Sequence, residues 1–62
     1  MNRQALYFSA LQDAAKALGE ERLRRRLKVP AAALSAWLKR DRPIPEAVFL
    51  TAVDIIQERE PR

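Results

Sequence analysis

Seven basic residues and no acid lie between Arg22 and Arg40. Guanidinium and ammonium groups at that density suit a phosphate backbone, where binding rests on neutralised charge. Arg22, Arg25, Arg26 and Lys28 precede the short segment from Pro30 to Leu38, and Lys39, Arg40 and Arg42 follow it. These seven are the candidate phosphate contacts. Arg24, Arg25 and Arg26 also have a plainer use, as a solvated helix face paired with Glu20 and Glu21 at helical spacing. The segment between the two basic groups is chemically quiet. Bidentate reading of guanine or adenine needs Arg, Lys, Asn or Gln. The base-edge candidates there are Ala31, Ala32, Ser35, Ala36 and Lys39, of which only Ser35 and Lys39 can hydrogen-bond.

Other chemistries lack their residues. The 62-residue chain has no Cys and no His, which removes disulfides, Cys/His zinc sites and Ser-His or Cys-His catalysis. A single Gly leaves no phosphate-cradling loop. Glu20, Glu21, Asp41 and Glu46 fall at helix starts or in a loop, where capping and dipole effects account for them. The chain reads as no enzyme, with no metal, cofactor or small-molecule substrate. Its formal charge is +4 and its pI near 10.4, an indication of an anionic partner. That charge is polarised: eight of twelve basic residues lie between Arg22 and Arg42, whereas Glu46 to Glu60 holds four acids and one Arg. No apolar run approaches the ~20 residues of a membrane span, and no signal-peptide pattern opens the chain. A cytoplasmic location with no membrane partner is expected.

The elements that position these side chains are helices. Residues of high helix propensity dominate, 48% of the chain is apolar, and only one Gly and four Pro interrupt it. One domain over residues 1–62 is expected. Tyr7, Leu11, Ala14 and Leu18 recur at helical spacing, with Phe8 and Ala15 widening the stripe, so a first helix spans about Arg3 to Leu18. Gly19 ends it in a left-handed conformation. A second helix starts at Glu20 or Glu21 and buries Leu23 and Leu27. Lys28-Val29 is a turn, and Pro30 opens a third helix that runs to about Lys39 with Leu34, Trp37 and Leu38 inward. Asp41 to Pro45 is a stiff loop. A closing helix covers about 45–58, with a frayed tail through Arg62. Its apolar residues Val48, Phe49, Ala52, Val53, Ile55 and Ile56 sweep about 160° of surface, with Leu50 beyond, against the ≳100° of an ordinary surface helix. A helix wedged among three others explains that breadth. A homodimer face at Phe49, Leu50 and Val53 is the alternative.

Leu23, Leu27, Val29, Leu34 and Trp37 are spaced as a helix-turn-helix over about 20–40 requires, and from Leu18 to about Ile56 the chain resembles the Cro and phage-repressor type of small bacterial DNA-binding domain. The resemblance implies a compact all-α, lambda-repressor-like four-helix domain that binds double-stranded DNA and regulates transcription, in some cases as a dimer. It implies that the second helix of the motif lies in the major groove and reads bases with its N-terminal outward residues. Two departures stand out. The family usually has Ala where this chain has Arg24, so Arg24 must reach outward or widen the crossing. It usually has Gly where this chain has Lys28, a turn position of positive φ that costs a Lys about 1 kcal/mol. The rival reading is a protein–protein interaction module on the same frame, without sequence-specific DNA binding, using the small face Ala31-Ala32-Ala33-Ala36 or the closing helix.

Overall fold

The Asn2 side chain accepts a hydrogen bond from the Gln4 N–H at 2.9 Å, capping the first helix. In the computed structural model, which describes residues 2–59, this α1 spans Arg3–Leu18. It is followed by α2 (Glu20–Leu27), α3 (Ala31–Leu38) and α4 (Glu46–Arg59). There is no strand among the described residues, so the domain is all-α with four helices. The expected frayed tail after residue 59 lies outside the described residues.

The junctions are short and each has its own backbone device. Gly19 alone separates α1 from α2: its N–H donates to the Ala15 carbonyl (2.7 Å) and its carbonyl accepts from the Leu23 N–H (3.0 Å). Its φ of 86° is positive as expected, but its ψ of 152° is extended rather than left-handed helical. That region of the backbone map is open essentially to glycine alone. One residue has to finish one helix and start another in a new direction, and the left-handed geometry expected there would not do both.

Pro30 and Pro45 stand just outside the helices they were expected to open. Pro30 is extended (φ −67°, ψ 154°), and its carbonyl accepts from Ala33 and Leu34, so helical geometry begins at Ala31. The Pro45 carbonyl accepts from Val48 and Phe49 in the same way. Proline's fixed φ suits either position, and its missing N–H costs nothing at a helix start.

The core gathers one face of every helix. Tyr7, Ala10, Leu11 and Ala14 of α1 meet Leu23 of α2, Leu34 and Trp37 of α3, and Val48, Ala52 and Ile55 of α4. Leu11, Leu23 and Ile55 are fully buried. Trp37 is core, as its spacing indicated. Ile44, from the loop before α4, is buried too and was not expected, since an isolated apolar residue between prolines shows no periodicity. The largest packing interface joins α1 to α4. The Tyr7 and Phe49 rings stack across it with centroids 4.6 Å apart and planes at 25°, a geometry that favours aromatic pairs beyond simple burial.

Candidate nucleic-acid interface

The arginines of α2 are largely engaged with carboxylates. Arg24 donates through Nε (3.2 Å) and Nη2 to the two oxygens of Glu21, and Arg25 Nε donates to the same carboxylate at 3.2 Å. Arg26 reaches across to α4 and grips Glu58 with both terminal nitrogens, at 3.1 and 2.9 Å. The helical pairing anticipated with Glu20 and Glu21 is therefore present at Glu21. The Arg26–Glu58 fork joins residues 32 apart, and no local spacing announces it. Hydrogen bonds from Arg24 hold the Glu21 carboxyl below its ordinary value, and those from Arg26 do the same to Glu58. The two guanidiniums are shifted upward in return. All these groups meet solvent, so the pairs add little stability each.

Placement separates this set from α3. Successive helical residues turn ~100°, so Arg22 and Arg26 each lie roughly 160° around α2 from Arg24. Arg26 faces α4, and Arg22, Arg25 and Arg26 line a hollow with Leu18 of α1 to which no α3 residue contributes. Arg24, at 29% side-chain exposure, is the most enclosed of the three ion-paired arginines. Its guanidinium reaches outward to Glu21.

The two helices of the central unit end in one and the same backbone motif. At the end of α2, the Val29 N–H donates to the Arg24 carbonyl (3.3 Å) and the Lys28 N–H to the Arg25 carbonyl (3.2 Å). At the end of α3, the Asp41 N–H donates to the Ala36 carbonyl (2.8 Å) and the Arg40 N–H to the Trp37 carbonyl (3.1 Å). This is the Schellman pattern, which needs one left-handed residue and usually takes Gly. Here those residues are Lys28 (φ 59°) and Arg40 (φ 64°), the only non-glycine positive φ values among the described residues. The first was expected. The second was not, because nothing in Lys39-Arg40-Asp41 marks a left-handed residue. Both sit at helix C-termini, where positive charge opposes the helix dipole.

Between them, α3 presents the small face foreseen. Ala31 and Ala32 are exposed, Ser35 and Ala36 half-buried, and Lys39 exposed just past the helix. Lys28, Lys39, Arg40 and Arg42 form no ion pair among the described residues. The Arg40 guanidinium lies over the Phe8 ring, 4.1 Å from its centroid, a cation–π contact that orders the side chain. Gln4 of α1 fixes the loop itself: its Nε2 donates to the Ile44 carbonyl (3.0 Å), and its Oε1 accepts from the Ile44 N–H (2.6 Å). Arg40, Asp41, Arg42 and Ile44 border an open depression of about 230 Å³ with Gln4 and Phe8. A surface glutamine in a first helical turn gives no sequence sign of this role.

On α4, Phe49 is occupied by its stack on Tyr7, and Val53 is half-buried against the core. Leu50 alone of the three dimer-face candidates is well exposed, at 54%, with Leu6 of α1 at 56%. Among the described residues no group of acidic side chains could hold a metal, and no helix is long and apolar enough to cross a membrane. Comparison with protein-family models, with curated proteins and with solved structures finds no match.

Proposed function

We propose that this domain binds double-stranded DNA through α3 and the cations at its two ends, gripping phosphates with little reading of bases. The observation that carries the reading is the bracket itself. Lys28 precedes α3; Lys39, Arg40 and Arg42 follow it; and none of them is spent on a carboxylate among the described residues. The eight residues of α3 make a rod of about 12 Å at 1.5 Å per residue, comparable with the ≈12 Å width of the major groove that admits such helices. Cations beyond each end then fall near phosphates of the flanking backbone, where they position the protein without reading sequence. The Ala methyls of α3 offer at most apolar contact to thymine. Arg22, Arg25 and Arg26, grouped on another flank of α2, are outside the bracket.

Anisotropy of labelled duplexes between 50 and 200 mM salt tests this. Four phosphate contacts predict a log–log salt slope of about −3.6, and Lys28→Ala, Lys39→Ala or Arg42→Ala should each reduce it by about 0.9. Arg25→Ala should leave it unchanged. No binding near 50 mM salt, or an Arg25→Ala loss as large as that of Lys39→Ala, overturns the bracket. Regulation of transcription would follow as the use of such a protein. A homodimer through the last helix would rest on Leu50, the exposed member of the Phe49, Leu50 and Val53 face, with Leu6 of α1 a second exposed apolar side chain. Sedimentation should then show dimers that Leu50→Asp dissociates, and a monomer at high concentration removes the idea.

A further inference from the structure

The charge on α2 that the bracket leaves out surrounds an apolar floor. Leu18, half-buried in the last turn of α1, lies in an open hollow of about 360 Å³ whose other lining residues are Arg22, Arg25 and Arg26. Arginine stems are aliphatic and hold the guanidinium at the water, so three of them make apolar walls with a cationic rim. The ion pairs do not cancel that rim. Glu21 is shared by Arg24 and Arg25, Arg22 has no ion-pair partner among the described residues, and Arg26 spends two of its five N–H donors on Glu58. A phosphate backbone would satisfy such a rim and leave the floor empty. An apolar side chain flanked by carboxylates satisfies both.

We propose that this hollow docks an acidic segment of a partner protein, with one large apolar side chain seated on Leu18 and neighbouring Asp or Glu carboxylates paired to Arg22, Arg25 and Arg26. The occupant is set by charge complementarity around an apolar centre, the usual build of an interface anchor. Because no α3 residue lines the hollow, partner and duplex occupy different surfaces. The domain then couples a backbone-gripping DNA face to a second protein, which supplies what its mute α3 lacks.

The test titrates the full chain with a labelled peptide of Leu residues set among Glu residues, with the same peptide bearing Ser for each Leu, and with a DNA duplex. The Leu peptide should bind saturably, and the Ser peptide about tenfold or more weaker, since burial of one large apolar side chain is lost. The double variant Arg22→Gln, Arg25→Gln should weaken the Leu peptide by about tenfold, as expected for two exposed pairs, and hold the duplex within about threefold. Arg22→Glu with Arg25→Glu should abolish peptide binding while helical circular dichroism stays native. Equal binding of the two peptides reduces the hollow to a generic polyanion surface and overturns the proposal. So does peptide binding that ignores the arginine changes, or a duplex loss as large as the peptide loss.

Discussion

Replacement of Lys28 by Gly sets several opposed effects against one another at a single residue. Lys28 holds φ 59° and ψ 45° at the end of α2, a left-handed conformation whose cost to an L-residue spans roughly 1–2 kcal/mol. The ~1 kcal/mol expected from the sequence is the lower bound of that range, and about 1.5 kcal/mol is its midpoint. Glycine removes that cost but adds about 0.7 kcal/mol of freedom to the unfolded chain. Loss of the exposed ammonium at the helix C-terminus subtracts about 0.3 kcal/mol more. Lys28→Gly should therefore stabilise the domain by about 0.5 kcal/mol, raising Tm by roughly 2–4 °C for a domain of this size. Arg40→Gly relieves the same strain at φ 64° but also removes the contact over Phe8, worth about 0.75 kcal/mol at an exposed site. Its net effect should be near zero. Thermal and urea unfolding of both variants checks the order, and the anisotropy assay checks the function: Lys28→Gly should become more stable while its salt slope falls by about 0.9. If Lys28→Gly destabilises, or if both variants shift alike, the strain argument is wrong.

Gly19→Ala meets no neighbour within 4 Å, yet φ 86° should cost about 1–3 kcal/mol from the backbone alone; an unchanged urea midpoint would contradict that. Gln4→Ala strips both partners from the Ile44 peptide groups and should cost about 1–3 kcal/mol, with faster amide exchange at Ile44; a loss below about 0.5 kcal/mol would show that water replaces the clamp. Glu21 and Glu58 have carboxyls lowered from 4.5 by their arginine partners, so the stability they add is full above pH 4.5 and is lost as pH falls through the lowered values. Urea midpoints measured down to pH 3 should show that loss, and Glu21→Gln with Glu58→Gln should flatten it; an equally steep decline in the double variant would place the acid sensitivity elsewhere.

Local chemistry made the helices legible. The α1 stripe and Gly19 placed Arg3–Leu18 to the residue, and the apolar spacing of Leu23, Leu34 and Trp37 marked which faces turn inward, with Leu27 half-buried at the edge of the core rather than within it. What escaped is long-range. Arg26 with Glu58, Gln4 with Ile44, and Arg40 with Phe8 join residues brought together only by the finished fold. These three contacts show how the charges are engaged. Arg26 is paired with Glu58, Arg40 lies over the Phe8 ring, and Gln4 holds the Ile44 peptide in the loop that carries Arg42. The breadth of the α4 apolar face was readable, but its cause was not. Phe49 spends its ring on Tyr7, so much of that breadth serves the fold's own interior.

The glutamine clamp has a consequence for association. A flexible loop between α3 and α4 would have to surrender its conformational freedom when its guanidinium met an anion, and that surrender would be subtracted from affinity. Gln4 and Phe8 have already taken it, during folding and from the far end of the sequence. If the domain grips phosphates as proposed, changes at Gln4 or Phe8 in the first two turns of α1 should therefore tune how tightly Arg40 and Arg42 hold an anion.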